Sequence, residues 1–218
     1  MSPYPTQLID RWHSRIEPNP GQGKLYWHVL LNQHPQVRAI ASRAQEQLAA
    51  FRGLHMTPKQ WLHITILIAG STDEISANEM DAMLTNATHL LSQTPPVTVT
   101  LGHILYHPEA IMLAARPIDA LEPIREAVQS ATRAVIGKDD GVTGDGTSWR
   151  PHVTLCYSTV QQPAGPIINA LGTELPRCQV TIDSVSLVNQ RGAERQWDWD
   201  PVGAVHLLGR YGGEDAQT

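Results

Sequence analysis

The sequence of 218 residues contains only two cysteines and no long apolar run. Cys156 and Cys178 are too few for a disulfide framework, and the absence of a Cys-x-x-Cys pair excludes zinc ribbons and thioredoxin-like redox chemistry. No apolar run reaches the roughly 18 residues that a transmembrane helix needs. The N-terminal residues also lack the basic and apolar regions of a secretory signal. We therefore expect a soluble, cytoplasmic protein.

Positive charge is scarce as well. The 16 Lys and Arg residues against 21 Asp and Glu give a net charge of -5, which argues against a broad basic surface for long nucleic acids. A local basic pocket for a small anionic ligand is compatible with this balance. Phenylalanine occurs once, whereas tryptophan occurs 6 times. Because Trp combines a stacking face with a polar N–H, this choice hints that a few of the tryptophans contact a ligand.

The apolar pattern predicts an α+β protein built from two similar halves. Strands are expected over 24–31, 61–69, 97–107, 110–117, 150–158, 178–190 and 195–208, and helices over 35–51, 76–93, 118–137 and 166–175. The order of elements is similar in both halves, which predicts a bilobal, pseudo-two-fold arrangement of two antiparallel sheets. Helices should cover the outside of these sheets, and a cleft should lie between the lobes.

Helix ends and domain limits follow from local signals. Ser76 and Glu79 have the spacing of a capping box, Asp119 is the expected cap of the third helix, and Gly137 is its expected end. The glycine-rich stretch 138–148 predicts a mobile loop. We expect residues 1–23 to be an N-terminal extension, 24–210 a single bilobal domain and 211–218 a flexible tail. Within that domain, an N-terminal lobe is expected around the first motif below and a C-terminal lobe around the second.

Two strands each carry a His-x-Thr motif, in the stretches WLHITIL and RPHVTLC. Because alternate residues of a strand face the same side, His63 and Thr65 share one face, as do His152 and Thr154. The same alternation predicts that Leu67 and Cys156 lie on these faces too. Across a cleft, one imidazole can take a proton from water while the other protonates a leaving oxygen. The hydroxyls can donate to phosphate oxygens, so the pattern predicts phosphodiester chemistry.

A third His-x-Thr, formed by His55 and Thr57, acts as a control within the chain. Gly53 and Pro58 flank it, which predicts a linker rather than a strand. The alternative for the two retained motifs is a pair of strand histidines with satisfied hydrogen bonds. Two copies in equivalent places of a pseudo-repeat argue against that alternative.

The stretches LHITIL and PHVTLCY resemble the paired H-Φ-[TS]-Φ signatures, with Φ apolar, of the 2H phosphoesterase superfamily. Within it, the chain most resembles the 2′-5′ RNA ligase and cyclic phosphodiesterase group, over residues 25–208. The resemblance implies the bilobal fold and chemistry without a metal or another cofactor. It also implies His63 and His152 as the acid/base pair and Thr65 and Thr154 as phosphate-binding hydroxyls. It favours His152 as the base and His63 as the acid, an assignment that the residues themselves leave open.

Five further residues are candidate ligand contacts. Arg150 precedes His152 by two residues and is a candidate phosphate ligand; the alternative is a solvated arginine. The aromatic candidates for stacking on a base or ribose are Trp61, Trp149, Tyr26 and Trp27. Core packing is the alternative for Trp61, and Trp149 could close over a ligand from the glycine-rich loop.

The predicted function is a metal-independent phosphodiesterase that uses two-histidine acid/base catalysis. Its substrate would be a cyclic (2′,3′- or 1″,2″-) or 2′,5′-linked phosphodiester of a nucleotide or short RNA end. The alternatives are a binding module without turnover, a 2′-5′ RNA ligase, and a phosphoesterase for a specialised metabolite. The sequence contains no His-Glu-x-x-His motif and no close His/Asp cluster, so it does not predict a metal site. We expect a monomer with no membrane partner.

Overall fold

The computed structural model describes residues 4–15, 19, 21–137, 149–191 and 198–209. Its helices are α1 Pro35–Leu48, α2 Ala77–Leu91, α3 Glu122–Ile136 and α4 Gly165–Leu171. Its strands are β1 Gln7–Leu8, β2 Gly23–Leu30, β3 Leu54–Met56, β4 His63–Ser71, β5 Val97–His107, β6 Ala110–Ala114, β7 His152–Ser158, β8 Gln162–Pro163, β9 Glu174–Ile182, β10 Ser184–Arg191 and β11 Trp199–His206. The predicted glycine-rich loop and the predicted C-terminal tail lie outside the described residues. None of the described helices is long and apolar enough to cross a membrane.

Two antiparallel halves meet side by side through the two strands that carry the motifs. The strand order is β11-β10-β2-β4 in the first lobe and β7-β6-β5-β9 in the second, where β3 also pairs with β7. The pair between Ile64 on β4 and Val153 on β7 joins the lobes. This arrangement confirms the predicted bilobal α+β fold and places both motifs at the centre of the molecule.

The sequence pattern predicted that each lobe is one consecutive half of the chain. The structure shows that this prediction is wrong. The first lobe takes β2 and β4 from the N-terminal part and β10 and β11 from the C-terminal part. Its sheet packs against α2 and α3, while α1 crosses over to pack with α4 on the second lobe. The stretch 178–190, predicted as one strand, is divided at Asp183 into β9 and β10. These two strands belong to different lobes, so the chain crosses between the lobes at this point.

Helix boundaries test the predicted caps. In α2 the capping box is confirmed, because Ser76 N–H donates to Glu79 Oε2 (2.7 Å) and Glu79 N–H donates to Ser76 Oγ (3.4 Å). The predicted Asp119 cap is wrong: Asp119 lies in a 3-10 turn, and α3 begins at Glu122. Pro123 in the first turn favours this start, since its fixed φ suits a helix and its missing N–H needs no partner there. Gly137 ends α3 in the left-handed conformation (φ 63°), as predicted.

The core lies between the sheet and the helices. In α1 the buried side chains recur at helical spacing and face the second lobe (Val37, Ile40, Ala41, Ala44 and Leu48). The N-terminal extension packs on the same lobe, where β1 pairs with β8. Trp12 of this extension is buried in a second, smaller apolar cluster on the opposite face of the sheet, together with Tyr26, Tyr157 and Trp199. We call the face that carries this smaller cluster the open face.

Candidate active site

Strand register places both motifs on the open face. Ile64 and Val153 oppose each other and are fully buried in the core. Because neighbouring residues of a strand point to opposite sides, the residues before and after this pair point away from the core. In an antiparallel pair, His63 therefore lies beside Thr154, and the first motif's threonine lies beside the second motif's histidine. The structure thus brings the four predicted motif residues together on one surface.

Both motif histidines are held by the same kind of hydrogen bond. The Nδ1 of His63 lies 2.7 Å from the carbonyl oxygen of Trp61, and the Nδ1 of His152 lies 2.7 Å from that of Arg150. A carbonyl can only accept, so each Nδ1 carries the hydrogen and each neutral ring keeps an unprotonated Nε2. The shared i to i−2 bond fixes the same tautomer in both rings, which suits two groups that exchange a proton with a ligand.

Burial keeps both imidazoles neutral at physiological pH. It lowers the pKa of His63 to about 4, against the opposing effect of the Trp61 carbonyl and with a further decrease from the charge of His152. Burial also lowers the pKa of His152, and the charges of Arg11 and His107 add to that effect, while the Arg150 carbonyl opposes it. His152 is therefore close enough to His63 to affect its charge state.

A β-bulge follows the threonine in both motifs and corrects two predictions. On β4, Thr65 pairs with His28 but Leu67 pairs with Trp27, so one extra residue is inserted. On β7, Thr154 pairs with Met112, but Cys156 pairs with Ile111. Leu67 and Cys156 therefore turn into the core instead of sharing the site face.

The second bulge also decides the chemistry of the thiol. Burial raises the pKa of Cys156 to about 12, which excludes it as a thiolate nucleophile at neutral pH. One residue further on, Tyr157 turns to the open face instead. Its hydroxyl donates to Thr154 Oγ1 at 3.4 Å, so a tyrosine occupies the place that alternation assigned to the cysteine.

Trp61 and Arg150 contribute through their main chains. Trp61 was predicted to lie on the strand. In the structure it ends a 3-10 turn that precedes β4. Its ring packs against Trp199 at a centroid distance of 4.7 Å. The Arg150 side chain is exposed and forms no ion pair with a described residue. Each of the two residues supplies the carbonyl that orients the histidine two positions later.

Tyr26 and Trp27 point to opposite faces of β2. Tyr26 lies in the open-face cluster and stacks on His28, with ring centroids 5.0 Å apart. Trp27 is fully buried in the core, where its Nε1 donates to Thr132 Oγ1 on α3 at 3.1 Å. The prediction that Trp27 contacts a ligand is therefore wrong.

Trp149 is tied to the first lobe. Its Nε1 donates to the carbonyl of Thr65 at 3.3 Å, and the Arg125 guanidinium lies 5.0 Å from its ring centroid. These contacts join the chain entering β7 to the motif strand β4. The proposed closure of Trp149 over a ligand stays a prediction.

Sequence reasoning missed an aromatic stack behind His63. The His28 ring lies 4.2 Å from the His63 ring, and Trp199 lies 4.9 Å from it. His28 is fully buried, and neither ring nitrogen has a hydrogen bond of normal geometry to a described residue. Its pKa is lowered well below the usual value by burial and by His63, although the Trp27 main chain opposes this. Only the pairing of His28 with Thr65 reveals this neighbour, and a single sequence does not show strand pairing.

The N-terminal extension also supplies groups that the sequence did not indicate. The Arg11 guanidinium lies 4.3 Å from the Tyr157 ring centroid, and its Nη1 lies 3.2 Å from Glu109 Oε2. Trp12 packs edge-on against both Tyr157 and His55. Arg11 is thus a cation close enough to His152 to lower its pKa.

The third His-x-Thr was predicted to lie in a linker, and this prediction is wrong. Its histidine belongs to β3, a three-residue strand paired with β7. Thr57 follows directly and is buried. The strand is short because Pro58 cannot continue the ladder with an N–H, which is why the flanking residues indicated a turn.

Comparison with known proteins identifies the family. The sequence profile of the 2′-5′ RNA ligase superfamily matches residues 34–194, which include both motifs. The chain belongs to this superfamily. The resemblance carried by the two His-x-Thr motifs is thereby confirmed.

Proteins of Thermus thermophilus and E. coli resemble this superfamily member at low sequence identity. The RNA 2′,3′-cyclic phosphodiesterase of Thermus thermophilus is 23% identical over 199 residues, which cover 89% of this chain and 95% of that protein. The crystal structure of TT0787 from Thermus thermophilus matches 86% of this chain and 100% of its own, with TM-score 0.67 and 20% identity. LigT of E. coli complexed with 3′-AMP matches 85% of this chain and 98% of its own, with TM-score 0.62 and 16% identity. These structures share the fold.

Proposed function

We propose that the protein hydrolyses a cyclic phosphodiester at a nucleotide or RNA end, with His63 and His152 as its acid/base pair and without a metal. The observation that carries this proposal is the matched pair of imidazoles, each held by its Nδ1 and each at a strand position opposite a threonine of the other motif. Two such nitrogens suit a displacement at phosphorus, where one oxygen loses a proton as another gains one.

In the proposed reaction, His152 Nε2 takes a proton from water as the water oxygen bonds to phosphorus. The bond from phosphorus to one ribose oxygen breaks, and His63 Nε2–H protonates that oxygen. The product is a 2′- or 3′-phosphate, and one proton has passed from His63 to the leaving group while one has passed from water to His152. The direction follows the family resemblance and fits the greater exposure of His152.

The acid needs a proton that the free protein does not hold at neutral pH. His63 has a pKa of about 4 without ligand, so the negative charge of the bound phosphate must raise it. An opposite charge a few ångströms from an imidazole favours the charged form. We therefore expect the ligand itself to load the acid.

Two threonine hydroxyls and two arginines are proposed to bind the phosphate. The hydroxyls of Thr65 and Thr154 flank the opposite motif's histidine by register. Arg11 adds a positive charge on the side of the second motif, and Arg150 is the remaining candidate cation. Donors and cations placed where charge develops stabilise the transition state.

The names of related proteins support the substrate class. The Thermus thermophilus relative is named for RNA 2′,3′-cyclic phosphates, and E. coli LigT has been crystallised with 3′-AMP. Ligation would use the same groups in reverse, and the superfamily name keeps it as a second activity to assay. Excess water favours hydrolysis.

The test is a substrate panel in the presence of EDTA. It would contain 2′,3′-cyclic mononucleotides, oligoribonucleotides with a cyclic end, a 1″,2″-cyclic phosphate and 2′,5′-linked dinucleotides. We expect turnover of at least one cyclic phosphate, with the product identified by ³¹P NMR and its loss in the His63→Ala variant. Binding without any product would support a binding module instead, and strict dependence on added metal would contradict the proposed mechanism.

A further inference from the structure

Two arginines that are far apart in the sequence occupy opposite positions where the β6–β7 register is continued past His152. The Ala115 N–H donates to the Pro151 carbonyl at 2.9 Å, which continues the β6–β7 register beyond β7. Arg116 is therefore opposite Arg150, and both alternate with residues of the His152 face. Both side chains are exposed. We call Arg116 and Arg150 the cationic edge. It begins two residues from the motif histidine His152.

A cavity of about 740 Å³ extends this edge across β5 and β9. Arg116 pairs with Thr100 on β5, and Thr100 pairs with Gln179 on β9. Arg177 lies two residues from Gln179, at the register shift between β5 and β9, and lines the cavity. The polar residues that line the cavity are Thr100, His103, Arg116, Asp119, Glu122, Glu174 and Arg177. Exposed guanidinium groups therefore stand on two sides of one depression.

The carboxylates of the cavity are largely occupied. Glu174 Oε1 lies 2.6 Å from His103 Nδ1, and Glu122, another lining residue, lies 3.5 Å from the Arg125 Nη1. Asp119 remains on the wall formed by the turn before α3. Two of the three carboxylates thus already have a cationic or hydrogen-bonding partner.

Unlike two of these carboxylates, the two arginines that line the cavity have no close partner of opposite charge among the described residues. Within the described part of the chain, neither Arg116 nor Arg177 has an ion pair within 4 Å. Both are near Glu174, since their charges add to the His103 hydrogen bond in lowering its pKa. Two exposed guanidiniums with free donors are suited to phosphate, which they can bind with two parallel hydrogen bonds each.

The cavity lies at a distance from the motifs that suits a neighbouring nucleotide. His152 pairs with Ala114 on β6, and the β5–β6 register continued by one residue puts His103 next to Ala114. Neighbouring strands are about 4.8 Å apart, so the cavity begins roughly 10 Å from the His152 strand position. A single cyclic nucleotide held at the motifs would leave this region empty, whereas a longer strand could reach it.

We propose that the cavity with Arg116 and Arg177 binds a backbone phosphate of a single-stranded RNA whose cyclic end lies at the two histidines. This inference rests on the proposed function and narrows it: the preferred substrate is an oligonucleotide end rather than a free cyclic nucleotide. The balance of charges over the whole chain concealed the cluster, because its arginines come from three separate segments.

The experiment compares an oligonucleotide with a mononucleotide in two matched double variants. Arg116→Gln with Arg177→Gln removes the cavity cations. Arg38→Gln with Arg43→Gln removes two exposed cations from α1, which covers the opposite face of the same lobe. The readouts are kcat/KM for a cyclic-ended tetranucleotide and for the cyclic mononucleotide, and the Kd of a labelled tetranucleotide that ends in a 2′-phosphate.

We expect the cavity variant to lower the tetranucleotide-to-mononucleotide ratio of kcat/KM about tenfold, since exposed charge contacts are individually modest. For the labelled product, the slope of log Kd against log salt concentration should fall by about 0.7, because one phosphate contact is removed. The α1 variant should keep the wild-type ratio and slope. Equal losses on both substrates, equal losses in both variants, or no preference for the tetranucleotide in the wild type would overturn the subsite. If no cyclic phosphate is hydrolysed but product binding still depends on Arg116 and Arg177, the proposed function fails and the subsite stands.

Discussion

The buried state of His63 should make the stability of the protein depend on pH. In the folded chain its pKa is about 4, whereas an unfolded histidine titrates near 6.5. As the pH falls below about 6.5, the unfolded state gains a proton that the folded state rejects, so the free energy of unfolding decreases. Linkage over this interval gives a loss of about 2 kcal/mol between pH 7.5 and pH 5 from this one group, and about 3 kcal/mol once the pH is below both values.

The His63→Gln variant isolates this contribution. Gln does not titrate, so its free energy of unfolding should fall by about 2 kcal/mol less than that of the wild type between pH 7.5 and pH 5. Urea denaturation at both pH values measures the difference, and His206→Gln, an exposed histidine on β11, is the matched control. The comparison uses slopes with pH, so a uniform loss of stability in the variant does not affect it.

Parallel wild-type and His63→Gln curves would refute the reasoning, because they would mean that the imidazole is not buried in its neutral form. Imidazole NMR supplies a direct check. The His63 Nδ1–H tautomer should persist down to about pH 5 without ligand. A bound phosphate analogue should then raise the pKa of His63, as the proposed loading of the acid requires; an unchanged value would contradict that step.

Three further predictions concern neighbouring groups. His152→Ala should lower kcat by about 10²–10⁴, the usual contribution of a positioned acid or base, with thermal unfolding checked by calorimetry; near wild-type turnover would exclude its role. Arg11→Ala should lower kcat/KM about tenfold or more, and Arg11→Lys should lower it less. Arg15→Ala removes another partner of Glu109 and should have little effect. Equal losses of kcat/KM in Arg11→Ala and Arg15→Ala would show that only the ion pair with Glu109 matters. His28→Phe should raise stability by about 1 kcal/mol, because it removes a buried imidazole without good hydrogen bonds, while turnover falls; higher stability with unchanged kcat would make His28 a packing residue only.

Local sequence pattern was sufficient for features that depend on near neighbours. Strand alternation placed His63 with Thr65 and His152 with Thr154, and the register of β4 and β7 confirms that placement. The capping box at Ser76 was predicted for the same reason, since its partners lie within one helical turn.

The same local rule failed where a partner strand intervenes. The bulges after both motif threonines turn Leu67 and Cys156 into the core and bring Tyr157 to the open face. A bulge is a mismatch in length between two paired strands, so neither strand contains it by itself. The contact between His28 and His63 was missed because it, too, depends on a partner strand, through the pairing of β2 with β4.

What the sequence by itself determined is the chemistry available at the centre of the molecule: two strands, each with an imidazole and a hydroxyl on one side. Tertiary structure alone decided which residues surround them. Arg11 reaches the second motif because the N-terminal extension packs back on that lobe. Arg116 and Arg177 line one cavity because their segments flank β5 on either side. Such neighbours are set by strand order and chain crossing, which depend on burial of the whole sheet rather than on the period of any one segment.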